Sequence, residues 1–426
     1  MGEKIKVLMY CDSPTCATGF GTVSRNIAEA LHKTGRYEID IFGINYFGDP
    51  HPLSKVYDIW PAGVGSNDPY GRQKFCNMAI NMDFDILFVL QDTFIVDFMP
   101  ELVPFLRTNR QKEFRVIQYF PVDGVPKPEW MENINFADYK VAYSEFGKSE
   151  ALKALPALGD IDVIPHGANI NDYHYIPEEK LRDFKKQFFG KHADKFIIMN
   201  LNRNQQRKDI PRTIAAFKEF RKEVPESILY LHMAKKDQGW DLSEVCKSYG
   251  LNTFDDVIFP ENFNVNTGYP REIVNALYNC ADVVVSTALG EGMGMSWLEA
   301  MATKTPVIMP NNTAMTEFIT SDKGYLVDSG VDVNMYTVLP HDNEVIRPLC
   351  DVKDLVDKLL HVYNNRDEAM ARAETSYRWV TTEMDWQGPI AEKWVSLFDK
   401  AYEDLKQGSE SKTSNESNGS ITTETF

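Results

Sequence analysis

The sequence predicts an α/β protein made of two consecutive doubly wound halves, each a parallel sheet covered by helices on both faces. Short apolar runs of strand length alternate with amphipathic helical stretches along most of the chain. That alternation restarts near residue 195, so one half follows the other. The 426 residues, 43% hydrophobic and 25% charged, are enough for about two or three domains with ample core.

Taken in order, IKVLMY (5–10) is an apolar run broken by one lysine, the pattern of a strand buried on both faces. Val23, Ile27, Ala30 and Leu31 then recur at helical spacing, and Gly35 supplies the stop. Further strands are expected at 37–43, 86–91, 114–119, 139–143 and 161–164. The second series opens with KFIIMNL (195–201). Asp209 reads as an N-cap, Pro211 as a first-turn residue, and Ile210, Ile214, Phe217, Phe220 and Val224 as the buried stripe of a helix. ILYLHM (228–233), DVVVST (282–287) and PVIM (306–309) follow as strands, and helical patterns return at 353–363, 366–381 and 387–405. The expected division is a first domain over 1–168, a hinge over 169–190, a second domain over 191–385 and a final helix over 386–407. Residues 408–426, rich in Ser, Thr, Asn and Glu, bury too little surface to offset their ordering entropy and read as a disordered tail.

Composition narrows the class. The formal net charge is −17 and the pI about 5.0. From Gly408 onward there are only three Glu and one Lys, so the acidity belongs to the folded body. This argues against a nucleic-acid partner, whose phosphates need clustered Lys and Arg, although a basic cleft inside an acidic body would suffice. Six cysteines without a CxxC pair match neither a disulfide scaffold nor a zinc module and point to reduced thiols. The start lacks a signal-peptide core, Lys6 stands where myristoylation wants Ser or Thr, and no apolar run approaches the ~18 residues of a membrane span. A cytoplasmic protein is expected.

In open α/β sheets ligands gather at the carboxyl ends of strands. After the first strand, Gly19 and Gly21 open a helix, where bare amides can approach a phosphate; a tight strand–helix turn explains them equally well. After the strand at 195–200, Arg203, Arg207 and Lys208 cluster where cations can meet a diphosphate. As surface charge at a helix start they would oppose the macrodipole. The segment ALGEGMGMSWLEAMATKTPVIMP follows DVVVST. Glu291 precedes a Gly-Met-Gly loop that runs into a helix, with Met295, Leu298, Met301 and Ala302 on its apolar face and Glu299 at the edge. A carboxylate placed there needs a partner. Ribose hydroxyls would serve, as would backbone or an Arg.

Glu291 and Glu299, separated by seven residues inside EGMGMSWLEAMATKTPVI, resemble the signature of retaining glycosyltransferases of family 4, which have the GT-B fold. The resemblance spans roughly 5–400. Arg203 and Lys208 keep the family's Arg-then-Lys spacing, VIPHGANINDYHY looks like its hinge segment, and TGFGTVSRN is similar to its first glycine loop. It implies two Rossmann-like domains facing across a cleft, with a nucleoside-diphosphate sugar as donor substrate and an unidentified hydroxyl acceptor. It places Gly19 and Gly21 in the glycine loop, Arg203 and Lys208 on the diphosphate, and the amides of Gly292, Met293, Gly294 and Met295 near the donor. Glu291 would hold the donor sugar and Glu299 the ribose. The final helix would return to the first domain. Such enzymes need no metal or other cofactor, because side-chain cations and helix dipoles stabilise the leaving group, and the eight His show no ligand spacing with Asp, Glu or Cys.

Many relatives have a His after the strand corresponding to 114–119. Here QYFPVDGVP offers Asp123 instead, either as a group that bonds donor or acceptor or as a turn residue. Asp92 is a second acid aimed at the same cleft. His166 and His232 also follow strands, where a structural role is the simpler reading, and Asn169 stands where the family often has Asp. Tyr46, Phe47, Tyr70 and Trp130 lie in loops expected to shape acceptor choice, by stacking or by packing. Three other functions compete: the same chemistry on a hydroxylated DNA base, a catalytically silent binding protein that keeps the fold, and a nicotinamide-dependent oxidoreductase. The last is weakened by Ser24, which occupies the place of a third glycine.

Overall fold

The structure is a computed structural model that describes residues 3–63, 67–265 and 267–418. Strands β1 (Ile5–Asp12), β2 (Tyr37–Ile44), β3 (Asp58–Pro61), β4 (Ile86–Leu90), β5 (Arg115–Phe120), β6 (Tyr139–Ala142) and β7 (Asp162–Val163) form a parallel sheet in the order β3-β2-β1-β4-β5-β6-β7. Strands β8 (Phe196–Asn200), β9 (Ser227–Leu231), β10 (Val257–Ile258), β11 (Val283–Val285), β12 (Val307–Pro310) and β13 (Tyr325–Val327) form a second, also parallel, in the order β10-β9-β8-β11-β12-β13. Both are Rossmann-like, and together they make the GT-B architecture. In each sheet the strand order reverses beside the first strand, between β1 and β4 and between β8 and β11, so the ligand-binding crevice belongs there.

The apolar runs form strands because helices cover both faces. Leu8, Tyr10, Phe42, Leu87 and Val89 pack into one core layer, while Val7, Met9, Cys11, Ile39 and Phe88 pack into the other. The latter continues into the second domain through Ala168, Met199, Trp297 and Trp386. Short strands that the pattern did not reveal (β3, β10, β13) sit at or near sheet edges, where brief pairing needs little apolar signal. An antiparallel hairpin, β14 (Tyr336–Val338) with β15 (Ile346–Pro348), was likewise unforeseen.

The chain crosses between domains twice, side by side. Ala168 N–H donates to Met384 O at 2.8 Å and Trp386 N–H to Ala168 O at 3.0 Å. Gly167 permits this approach, since a Cβ there would lie 2.5 Å from Met384 O. The linker after this crossing is shorter than the 169–190 expected, because the helix Glu178–Phe189 fills its second half and packs on the second domain. Asn169 is buried and donates to Asn26 at 3.1 Å, a structural tie to the first domain.

The last helix, Pro389–Asn418, returns to the first domain. Trp394 meets Phe88 and Tyr119 edge-on at 5.6 and 4.6 Å, and Asp399 takes a forked pair of bonds from Arg36 at 2.7 and 2.8 Å. The helix continues past residue 408, where the tail was expected to begin. A packed helix supplies the nucleus and no proline interrupts the extension; residues 419–426 lie outside the described residues.

Candidate active site

The carboxyl ends of β1, β4 and β5 meet those of β8 and β11 around one cleft of about 2050 Å³. On the second-domain side, the turn after β8 is anchored from below. Asn200 donates to Thr213 at 3.0 Å, Thr213 and Thr287 share a 2.8 Å bond, and Thr287 donates to Asp209 O at 2.9 Å. Asp209 holds the N-cap place but does not cap. Its φ is +44°, its side chain makes no capping bond, and its carboxylate pairs with Arg212 at 2.9 Å, because the left-handed backbone directs it away from the helix amides. Pro211 does occupy the first turn.

This turn delivers Arg207 and Lys208 to Glu291. Lys208 Nζ donates to Glu291 Oε1, Arg207 Nη1 lies 3.3 Å from Oε2 and also bonds Gly290 O, and Glu291 N–H donates to Thr313 Oγ1 at 2.9 Å. Burial works to raise the Glu291 pKa, yet the two cations hold it below the ordinary carboxylate value. Lys208 is itself lowered by burial and by the neighbouring Arg207. Arg203 stands further out, paired with Asp237 at 2.7 Å. Gly292, Met293, Gly294 and Met295 all line the cleft. Gly294 needs its φ of +79°, and Gly292 lets the loop approach Pro121 of the first domain, which a Cβ would meet at 3.0 Å. Glu299, 7% exposed in the helix Ser296–Ala302, accepts from Tyr278 at 2.8 Å; burial lifts it to about 7, against the pull of Tyr278, Arg271 and Tyr173.

Three carboxylates face this array from the first domain. Asp123 is half-buried, and that desolvation works to raise its pKa, but Arg207 at 3.1 Å from Oδ2 and Arg347 at 3.1 Å from Oδ1 bring it below the ordinary value. Asp92 goes the other way: burial first, then Asp123, lift it to about 7 despite Arg207. Asp12, at the end of β1, accepts from Thr18 at 2.7 Å and Asn45 at 3.2 Å and is raised by burial. Gly19 lines the cleft. Gly21 does not donate to it, because its amide caps onto Thr18 Oγ1 at 2.9 Å and a Cβ would meet Cys16 O at 2.7 Å.

His166 and His232 are buried neutral rings, lowered by burial to about 3 and about 4, each bonded to a tyrosine hydroxyl (Tyr119 at 2.9 Å, Tyr230 at 2.8 Å). Tyr46, Phe47, Tyr70 and Trp130 all line the first-domain wall. Among the described residues no group of three or more His, Cys, Asp or Glu is arranged to hold a metal ion, and no described helix is long and apolar enough to cross a membrane.

Sequence reasoning missed Asp12, Asp237, Arg271, Tyr173, Tyr278 and Arg347, all close to the cleft. Asp12 was findable as the last residue of the first strand. Arg347 was not, since it lies in a hairpin with no periodic signal.

Comparison with known proteins bears on this arrangement. Residues 182–337, which carry Arg203, Lys208, Glu291 and Glu299, match the model of the family described as glycosyl transferases group 1. The protein is a glycosyltransferase. Its sequence is 25% identical over 270 residues to the "uncharacterized glycosyltransferase 335" of Sulfolobus islandicus rod-shaped virus 1, covering 61% of this chain and 74% of that protein. Among solved structures, the sucrose-phosphate synthase of Thermosynechococcus elongatus superposes with a TM-score of 0.74 at 18% identity, over 94% of this glycosyltransferase and 100% of the synthase. HepE of Anabaena, solved in complex with UDP-glucose, gives 0.70 at 14% identity over 93% and 100%. At these identities the likeness concerns fold, and the GT-B fold is common to all of them.

Proposed function

We propose that this glycosyltransferase is a retaining enzyme of family 4 that moves a sugar from a nucleoside-diphosphate sugar to an acceptor hydroxyl, with no metal ion. The observation that carries the reading is Glu291, its side chain 13% exposed at the start of the glycine loop, between Lys208 and Arg207 and opposite Asp123. Glu291 and Glu299 line the same cleft, and in this reading Glu291 takes the sugar end of the donor. Glu299 lies in the helix beyond, among Tyr278, Tyr173 and Arg271, where ribose hydroxyls would find an acceptor.

In this reading Arg207 and Lys208 take the charge that develops on the departing diphosphate, and Arg203 turns from Asp237 to the same group. Cations fixed in advance in a buried site act on the transition state without reorganising. Asp92 and Asp123 lie on the acceptor side. Because Arg207 and Arg347 keep Asp123 ionised, a proton shared between the two acids resides on Asp92. Front-face departure and attack require the leaving oxygen to receive the acceptor proton, so the protein's part is positioning and charge stabilisation. The UDP-glucose bound by HepE is consistent with such a donor.

The test is a screen of nucleoside-diphosphate sugars against the full chain, reading thermal shift, released nucleoside diphosphate and the anomeric configuration of the product. One donor should stabilise the protein and release its nucleotide in the presence of acceptor. Inversion in the product would refute retention, and no response to any donor would refute the donor class.

A further inference from the structure

The geometry points to Arg347, on the β14–β15 hairpin of the second domain, as a positioning residue that fixes Asp123 of the first domain across the cleft. The proposal rests on the reading of Asp123 as an acceptor-side group.

Hairpin register sorts its side chains. Thr337 opposes Arg347, while Val338 opposes Ile346. Ile346 and Val338 are exposed, whereas Arg347 is 3% exposed on the opposite face. The buried side of this ribbon therefore carries a cation where an apolar residue would be the default. That cation is fully engaged. Asp342 binds its Nε at 2.7 Å and Nη2 at 3.1 Å, a forked pairing that fixes the guanidinium plane. The remaining nitrogen, Nη1, reaches Asp123 at both the peptide oxygen and Oδ1, the latter at 3.1 Å.

Two glycines, one from each domain, clear the space. A Cβ on Gly124 would sit 2.9 Å from Arg347 Nη1, and one on Gly290 would lie 2.9 Å from the same atom and collide with Asp123 O. Asp123 is thus gripped by a different guanidinium at each oxygen, Arg347 at Oδ1 and Arg207 at Oδ2. Arg207 also serves Glu291, whereas Arg347, held in plane by Asp342, gives its remaining nitrogen to Asp123. Loss of Arg347 leaves the Asp123 carboxylate to Arg207 alone, while Lys127 still ties the far end of the 121–127 loop to Glu344 at 3.0 Å. The charged groups acting on Asp123 are Arg207, Arg347 and Lys208, with Asp92 and Glu291 opposing them.

Arg347→Met, Arg347→Lys and Asp342→Asn test this in the full chain. Amide exchange over residues 122–125 should rise in Arg347→Met and, to a smaller extent, in Asp342→Asn, which leaves the cation but releases its fork. Transfer kcat should fall about 10²-fold in Arg347→Met, as expected for a group displaced by roughly 1 Å. UDP affinity should change less than about threefold, since Arg347 touches none of the donor-side groups. The acid limb of the kcat profile should move to higher pH in Arg347→Met and recover in part in Arg347→Lys. Unchanged exchange over 122–125 overturns the proposal whatever the activity, and so does increased exchange with kcat and its pH profile unmoved. A wild-type protein that turns over no nucleotide sugar would refute the proposed function instead, while the exchange measurement still decides the tie between Arg347 and Asp123.

Discussion

Tyr278 donates a 2.8 Å hydrogen bond to Glu299, and it is not enough to keep that buried carboxyl at its ordinary 4.5; burial takes it to about 7. A carboxyl whose folded pKa is raised contributes stability below its unfolded value, and that stability is lost as pH rises through the folded value. Folding therefore weakens between about 4.5 and about 7, by about 3 kcal/mol at full ionisation. Glu299→Gln keeps the shape and removes the charge. Its melting temperature should exceed wild type by several degrees at pH 8 and match it near pH 4, while UDP should bind more weakly. Scanning fluorimetry at both pH values, with and without UDP, checks this. A lower melting temperature at pH 8 would show that the carboxylate is not held at a cost.

Lys208 and Glu291 form the opposite case, a buried pair whose members need each other. Lys208→Met should lower kcat about 10²–10³-fold and destabilise the fold, because Glu291 keeps only the 3.3 Å contact with Arg207. Adding Glu291→Gln should restore melting temperature but not turnover. A double variant as unstable as the single one would mean that the stability lost with Lys208 does not come from leaving Glu291 unpaired.

These contrasts bear on what could be read from sequence. That Glu291, Glu299, Arg203 and Lys208 line the cleft was legible because strand, glycine loop and helix follow one another locally, and local order places the residue after a strand at the crevice; the roles expected of them came from the family resemblance. The two parallel sheets were legible for the same reason, through runs such as IKVLMY and ILYLHM. Arg347 was not, because its role depends on a contact with Asp123, which lies 224 residues away. Asp209 was misread as a cap because residue type predicts capping only where the backbone is extended, and here it is left-handed. Gly21 fell to the tight-turn alternative because Thr18 claims its amide.

Two acids titrate near 7, and they should separate by what they control. Asp92 is lifted by burial and by Asp123, and Glu299 by burial; the proposed function puts the first on the acceptor side and the second on the donor. At saturating donor, Asp92→Asn should abolish the limb near pH 7 in kcat, while Glu299→Gln should alter only the pH dependence of donor affinity. If the kcat limb survives Asp92→Asn and vanishes in Glu299→Gln, the two assignments are exchanged.

The returning helix should be held by its apolar contacts and not by its charges. Trp394 is fully buried against Phe88 and Tyr119, whereas the pair between Arg36 and Asp399 lies near the surface. Trp394→Ala should cost about 3–5 kcal/mol through the cavity it leaves. Asp399→Asn should cost no more than about 1 kcal/mol, since exposed ion pairs gain little over hydration. Denaturant unfolding of both variants gives the comparison. A larger loss from Asp399→Asn than from Trp394→Ala would mean that electrostatics, and not packing, fastens the helix to the first domain.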